Sequence, residues 1–186
     1  SVNFVGNGPS LAASESAGVV AKTNWNNAGS NTGSSLRLVD ETGASNGATV
    51  SWNSDNTWSV PISGTTGNVH MIQGYLDTGA GNPTTVNVSG LPASSTGYDV
   101  YVYTDGDNAG TAKTATYSIS GAGITTTNIS ATDAANANFN GTFTAGANYV
   151  KFNAVQATAF TITATPVSTT GGGLRAPVNG IQVVPH

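Results

Sequence analysis

Cysteine is absent from this 186-residue sequence, and histidine occurs only twice. Without cysteine, the chain can form neither disulfides nor thiolate metal sites. A cysteine nucleophile is likewise excluded, and no Gly-x-Ser-x-Gly motif marks a hydrolase serine. Two histidines and scattered acidic residues offer no spaced ligand pair for a catalytic zinc ion. The sequence therefore predicts no catalytic residues, although its nine acidic residues leave open the two opposed carboxylates of a glycosidase.

Charged residues are also scarce. They make up 8% of the sequence, with five basic residues and a net charge of −4, whereas globular chains usually contain about 25%. Because lysine and arginine do not cluster, a nucleic acid or an anionic membrane surface is a poor partner. No apolar run approaches the roughly 18 residues of a membrane span. The sequence thus predicts neither nucleic-acid binding nor membrane insertion.

Glycine, serine, threonine and asparagine are abundant, and they separate short runs of β-branched and aromatic residues. We count about a dozen such runs and no convincing helix, which is typical of a sandwich or a closed sheet. The alternation of apolar and polar residues favours a folded chain over a disordered one. We predict one all-β domain over residues 1–186, built as an antiparallel β-sandwich of two sheets.

The two ends of the chain are expected to frame this sandwich. Residues 160–166 alternate apolar and polar side chains, and residues 178–185 form a β-branched run that ends at Pro185. Residues 2–5 have the same character. Pairing of the first and last strands would hold both termini in place. Between them, residues 167–177 are predicted to form a loop.

Several interior segments carry specific expectations. Tyr98–Tyr103 is the clearest strand, with its tyrosines at 101 and 103 on one face and its valines on the other. Residues 69–77, which include His70, and residues 137–144 are also predicted to be strands. The long polar segment 6–35 is expected to be anchored by burial of Trp25.

Five short segments occur in an order that spans nearly the whole chain: Val2-Asn3-Phe4, Gly74-Tyr75-Leu76-Asp77, Tyr98–Tyr103 after a Gly-Leu-Pro turn, residues 160–163 and residues 178–183. Together they resemble the galactose-binding-like β-sandwich of bacterial accessory modules, which includes malectin-like domains and carbohydrate-binding modules. The resemblance implies a jelly roll with paired termini that binds sugars through loops at one end or along one concave face, in some members with a structural calcium ion. Such a fold hosts many functions, so the resemblance assigns no residue role.

Two tryptophans around a polar turn form the first candidate sugar site. A sugar ring has an apolar face that can stack on an aromatic ring, while amides and carboxylates bind its hydroxyls. Trp52 and Trp58 flank Asn53, Asp55 and Asn56, and both rings would face the same side if the turn were tight. The alternative is that one or both rings cover the edge of the sandwich.

Four further residues are candidates for ligand binding. Tyr75 and Asp77 stand at the end of a predicted strand and would join the site if their loop lies at the same end of the sandwich. Arg175 and Asn179 lie in the closing loop and strand. The forked guanidinium of Arg175 can bind two hydroxyls or a carboxylate, and would suit an acidic sugar.

The loop after Tyr98–Tyr103 is a candidate calcium site. Asp105, Asp107 and Asn108 bring two carboxylates and an amide onto a glycine-bent segment. Calcium requires roughly six to eight oxygens, and the spacing of an EF-hand is absent. An ordinary Asp/Gly hairpin loop is the alternative. We predict no required cofactor, with calcium as the candidate structural ion.

These observations favour a non-catalytic carbohydrate-binding module that attaches a larger bacterial protein to a polysaccharide or oligosaccharide. The scarcity of lysine, the start at serine and the lack of a signal peptide favour a segment of a secreted or cell-surface parent protein with other domains. The alternative is a structural or adhesive β-domain of a surface protein, in which the tryptophans belong to the core and the loops are spacers.

Overall fold

The structure is a computed structural model, and it describes residues 1–79, 81–167 and 173–186. In these residues the strands are β1 (Val2–Phe4), β2 (Asn26–Ala28), β3 (Thr32–Val39), β4 (Ser45–Asn53), β5 (Asn56–Ser59), β6 (Gly74–Asp77), β7 (Thr84–Ser89), β8 (Tyr98–Tyr103), β9 (Lys113–Gly121), β10 (Ile124–Asp133), β11 (Tyr149–Val155), β12 (Phe160–Val167) and β13 (Gly180–Pro185). The helix is α1 (Gly67–Gln73). Of the predicted loop 167–177, residues 168–172 lie outside the described part of the chain. No helix in the described residues is long and apolar enough to cross a membrane.

Two large sheets form a sandwich, which confirms the predicted all-β fold. The six-stranded sheet has the order β10-β9-β12-β7-β4-β3, and the five-stranded sheet has the order β11-β8-β13-β1-β2. β1 pairs with β13 in antiparallel register, with Val2 opposite Ile181. The predicted pairing of the first and last strands is therefore correct. β5 and β6 form a separate two-stranded ribbon.

The alternation along the strands builds the core between the sheets. Val86 and Val88 of β7 and Ile162 of β12 point inward from the six-stranded sheet, and Val100 and Val102 of β8 meet them from the other side. Burying these side chains removes apolar surface from water, which is the main favourable contribution to folding.

A second core covers the outer face of the five-stranded sheet. Tyr101 and Tyr103 of β8 point away from the main core, as predicted, and pack with Trp25, Met71 and Ile72. Trp25 is 4% exposed, so its expected role as a buried anchor is confirmed. Because β8 is buried on both faces, packing fixes the position of its C-terminal end, where the next loop begins.

The strand predicted at residues 69–77 is wrong in its first half, which is helical. Thr66 caps the helix by accepting a hydrogen bond from the Val69 backbone N–H. The consecutive residues Met71 and Ile72 are both buried. His70 consequently lies on a helix, where its Nδ1 is 2.6 Å from Oε1 of Glu15.

The strand predicted at residues 137–144 is also wrong, since the segment is irregular. The Phe139 N–H donates to Oδ2 of Asp105 at 2.9 Å instead of to a neighbouring strand. Phe139 packs into the second core. The segment therefore covers the loop that follows β8.

Candidate functional site

The ribbon of β5 and β6 brings four candidate side chains onto one surface. Its register places Trp58 opposite Tyr75 and Asn56 opposite Asp77. Directly opposite residues of an antiparallel pair project to the same face, and residues two apart along a strand share that face. All four side chains therefore lie together.

Close backbone contacts fix the position of this ribbon. A Cβ on Gly74 would lie 1.6 Å from the carbonyl oxygen of Val5. A Cβ on Gly6 would lie 2.6 Å from the carbonyl oxygen of Trp58, and Gly6 also has a φ of +52°. Only glycine permits this approach, so the ribbon is pressed directly against the end of β1.

A cleft of about 560 Å³ opens over the ribbon. We call it the Trp58 cleft, and its lining residues are Asp55, Asn56, Trp58, Tyr75, Asp77, Gly79, Asp107 and Arg175.

Trp58 forms one wall of the cleft and is 47% exposed. Its Nε1 donates to Oδ2 of Asp107 at 3.4 Å. The Asp107 N–H in turn donates to the Tyr75 hydroxyl at 3.2 Å. Tyr75 is almost fully buried, and this burial raises the pKa of its hydroxyl. The two contacts of Asp107 hold the indole in a defined orientation while leaving much of its surface open.

Asp77 and Arg175 form an ion pair inside the cleft. The Arg175 Nε lies 3.2 Å from Oδ1 of Asp77, and its Nη1 donates to the carbonyl oxygen of Leu174 at 2.8 Å. Burial raises the pKa of Asp77, and the nearby guanidinium opposes that shift without cancelling it. The charge of Arg175 is therefore largely matched by a carboxylate of the protein.

Asp55 completes the cleft from the turn between β4 and β5. Its carboxylate accepts hydrogen bonds from the backbone N–H of Asn82 at 3.2 Å and from Asn82 Nδ2 at 2.9 Å. These bonds fix the carboxylate at the edge of the cleft.

The structure thus assembles six of the nine residues predicted to bind a ligand: Asp55, Asn56, Trp58, Tyr75, Asp77 and Arg175. Asp107, which the sequence suggested as a calcium ligand, lines the same cleft. The remaining three predicted residues lie elsewhere.

Trp52 is buried, which favours the alternative that one of the two rings covers the sandwich instead of stacking on a sugar. It follows Ala48 and Val50 on the core-facing side of β4 and is 8% exposed. Its Nε1 donates to the carbonyl oxygen of Ser30 at 2.9 Å. Gly33 covers the ring so closely that a Cβ there would lie 2.2 Å from the indole.

Asn53 and Asn179 also lie outside the Trp58 cleft. Asn53 is exposed at the end of β4 and does not line the cleft. Asn179 is fully buried and does not line the cleft, so its predicted contact with a ligand is not favoured. Its Nδ2 donates to the carbonyl oxygens of Ile72 and Asp105, at 2.6 and 2.9 Å, and its Oδ1 accepts from the Asp105 N–H at 2.7 Å. Asn179 therefore joins the end of α1 to the loop after β8.

The predicted calcium ligands separate into two groups. Whereas Asp107 lines the Trp58 cleft, Asp105 and Asn108 are 2% exposed. Asn108 Nδ2 donates to Oδ1 of Asp133 at 2.7 Å, and Asp105 Oδ2 accepts from the Phe139 N–H. Asp105 and Asp133 both line a second opening of about 280 Å³, which we call the Asp133 pocket.

Burial dominates the electrostatics of the Asp133 pocket. It raises the pKa of Asp105 to about 7. Burial, together with the charge of Asp105, raises the pKa of Asp133 to about 8, while the Gly106 N–H and the charge of Lys113 oppose that shift. Within the described residues no group of three His, Cys, Asp or Glu side chains is arranged to hold a metal ion.

The sequence analysis missed Asp133, which is 25 residues beyond Asn108. Its position becomes apparent only from the register of the β9–β10 hairpin, which pairs Lys113 with Asp133. This pairing returns the end of β10 to the loop that precedes β9.

The two regions therefore offer different chemistry: an open aromatic cleft with oriented polar groups, and a buried pair of carboxylates. The Trp58 cleft is the stronger candidate for binding an organic ligand, because it is open and combines an exposed ring with hydrogen-bonding groups. Comparison of the chain with family models, with curated proteins and with solved structures finds no match.

Proposed function

We propose that the protein binds a neutral carbohydrate in the Trp58 cleft without transforming it. The observation that carries this proposal is the exposure of Trp58, at 47%, in a molecule whose Trp25 and Trp52 are buried. An exposed indole beside fixed polar groups can stack on the apolar face of a sugar ring. Tryptophan is also enriched among the residues that contribute most to binding at protein interfaces.

The polar lining of the cleft matches the hydroxyl groups of a sugar. Each hydroxyl both donates and accepts hydrogen bonds. Asp77 and Asp107 supply acceptors, Arg175 supplies donors and Asn56 supplies both. A sugar stacked on Trp58 would therefore find partners for several hydroxyls around its edge.

The charge of the cleft favours a neutral sugar over an acidic one. Three carboxylates line it, those of Asp55, Asp77 and Asp107, against the single guanidinium of Arg175. Because Arg175 is already paired with Asp77, a uronic acid would meet a net negative surface, and like charges brought together lower affinity. Arg175 alone suggests an acidic sugar, but its surroundings support a neutral one.

Contacts within the protein support a preformed site. The ribbon is locked against β1, and Asp107 holds both Trp58 and Tyr75. A site that is already ordered loses less conformational entropy when a ligand binds. Weak hydrogen bonds to a sugar can then suffice for measurable affinity.

Titration of intrinsic tryptophan fluorescence with neutral polysaccharides, alongside affinity gel electrophoresis, tests the proposal. Because Trp25 and Trp52 are buried, we expect the spectral change to come from Trp58. Replacing Trp58 with alanine should weaken binding by about thirtyfold, as truncation of a central aromatic typically costs about 2 kcal/mol.

Two exposed asparagines give a matched control. Asn56 lines the cleft and Asn53 does not, so Asn56→Ala should weaken glycan binding while Asn53→Ala should leave it unchanged. If no glycan in a broad panel changes the fluorescence or the mobility, the structural or adhesive alternative is favoured. Tighter binding of polygalacturonate than of neutral glycans would contradict the charge argument. Steady release of reducing sugar by the purified protein would contradict the non-catalytic assignment.

A further inference from the structure

A cavity of about 210 Å³ lies between the two large sheets. We call it the Tyr98 cavity, after the residue at the start of β8 that lines it. Among the described residues it shares no lining residue with the Trp58 cleft. Three of its wall residues come from each of the two sheets, and these six are Val2, Leu38, Ala48, Val88, Tyr98 and Ile181.

The walls of the Tyr98 cavity are buried and apolar. Each of the six wall residues is at most 8% exposed. The Tyr98 hydroxyl donates to the carbonyl oxygen of Pro92 at 2.7 Å, so the polar end of this side chain already has a partner. Protein interiors pack closely and contain few spaces larger than a water molecule, because atoms that line a space lose favourable contacts. Close packing of the sandwich therefore does not explain a cavity of this size.

Three charged side chains, which are more exposed than the walls, mark the mouth of the cavity. Lys22 Nζ lies 3.1 Å from Oε1 of Glu41. Oδ1 of Asp40 accepts from the N–H and the hydroxyl of Thr42, at 2.8 and 2.6 Å. These groups are thus engaged within the protein. Two carboxylates against one ammonium also give the side chains at the mouth a net negative charge, which disfavours an anionic ligand.

The volume of the cavity defines the size of a matching ligand. An apolar cavity of about 150 Å³ in another protein binds benzene, so 210 Å³ leaves room for a few more carbon atoms. Apolar molecules gain free energy when they leave water for such an environment. We propose that the Tyr98 cavity binds an uncharged apolar molecule about as large as a benzene ring with a short alkyl group.

Such a ligand would contact strands of both sheets, since Val88 and Ile181 face the cavity from opposite sides. Binding should therefore stabilise the sandwich as a whole. This site does not rest on the proposed sugar binding, because the Trp58 cleft is lined by a separate set of residues.

Thermal unfolding with toluene and with benzoate tests the proposal, because both probes carry the same ring and only benzoate carries a carboxylate. At a toluene concentration about ten times its dissociation constant, we expect the melting temperature to rise by about 3 °C, since the ligand binds only the folded chain. Benzoate at the same concentration should cause a much smaller rise. No rise with toluene up to its solubility limit, or an equal rise with benzoate, would overturn the proposal.

Methyl-detected NMR of the unmodified protein locates the bound toluene. The methyl signals of Val2, Val88 and Ile181 should shift, because these residues line the cavity. Val150 is equally buried but does not line it, and its signals should stay in place. Shifts confined to residues outside the cavity would contradict the proposal, whatever the variants show.

Two alanine substitutions form a matched pair. Ala48→Val fills part of the cavity, so without ligand it should raise the melting temperature, and it should weaken toluene binding by about tenfold. Ala115 of β9 is also buried but does not line the cavity. Ala115→Val should therefore overpack the core, lower the melting temperature and leave toluene affinity unchanged. Unchanged toluene affinity in Ala48→Val, or an equal loss in Ala115→Val, would contradict the site.

Discussion

The Trp58 cleft and the Asp133 pocket are each lined by an aspartate of the loop after β8, and they differ in the partners of their carboxyl groups. In the cleft, Asp77 pairs with Arg175 and Asp107 accepts from the Trp58 indole. In the pocket, Asp105 and Asp133 have backbone N–H donors but no ion pair among the described residues. The same residue type therefore serves as an oriented hydrogen-bond acceptor in one region and as a buried carboxyl group with a raised pKa in the other.

Asn179 is the residue whose loss should damage both regions at once. Its side chain bonds the loop at Asp105 and the end of α1 at Ile72. Asn179→Ala leaves several buried backbone groups without partners, so we expect the free energy of unfolding to fall by about 3 kcal/mol. Urea denaturation measures this change, and glycan binding should weaken. Asn53→Ala should alter stability by less than about 0.5 kcal/mol. Equal stability of the two variants would show that the regions are not joined through Asn179.

The buried carboxyl groups of the Asp133 pocket should make the stability of the protein depend on pH. Burial raises the pKa of Asp105 from 3.8 to about 7 and, with the charge of Asp105, that of Asp133 to about 8, against the opposing charge of Lys113. At pH values between 3.8, the ordinary pKa of aspartate, and these raised pKa values, the folded chain binds more protons than the unfolded chain. The free energy of unfolding must therefore fall as the pH rises through this range.

We expect that fall to be about 2 kcal/mol or more between pH 5 and pH 9, because each unit of pKa shift corresponds to about 1.4 kcal/mol. Chemical denaturation at a series of pH values measures it. Asp133→Asn should flatten the plot of unfolding free energy against pH. The variant lacks one titrating carboxyl group and removes the repulsion between that group and Asp105. A wild-type free energy of unfolding that does not change with pH would show that the carboxyl groups of the Asp133 pocket do not have raised pKa values.

Asp107→Asn should produce the smallest effect and act on the cleft alone. The variant keeps an oxygen that can accept from Trp58 but loses the charge. Hydrogen bonds to charged groups are stronger than neutral ones, so we expect glycan affinity to fall by roughly threefold, which is about 0.6 kcal/mol. Isothermal titration with the best glycan of the panel measures this loss. A similar loss in Asn53→Ala would indicate that the change is not specific to the cleft.

Much of the fold follows from local patterns in the sequence. The alternation in β8 and β12 correctly assigned their faces, and the β-branched ends of the chain correctly indicated that β1 and β13 pair. The segment Val69 to Ile72 misled the analysis because its residues are also acceptable in a strand. Its helix is set by the Thr66 cap and by burial of Met71 and Ile72 against the outer face of the sheet, a tertiary effect that local preference does not contain.

The candidate site, like the fold, was only partly predictable from local patterns in the sequence. Exposure of Trp58 and burial of Trp52 could have been separated from the sequence, because Ala48, Val50 and Trp52 share one face of a strand. The approach of Arg175 and Asp107 to the ribbon could not be predicted, since these residues come from distant parts of the chain. Asp133 was missed for the same reason, and only the register of the β9–β10 hairpin reveals it.

The contact between Gly74 and Val5 has a consequence for efforts to give this protein a new ligand. The backbone beneath the ribbon has no room for even one additional methyl group, since a Cβ would come within 1.6 Å of a carbonyl oxygen. Engineering of selectivity should therefore leave the floor untouched and randomise the rim, at Asp55, Asp107 and Arg175, where side chains rather than main-chain atoms define the opening.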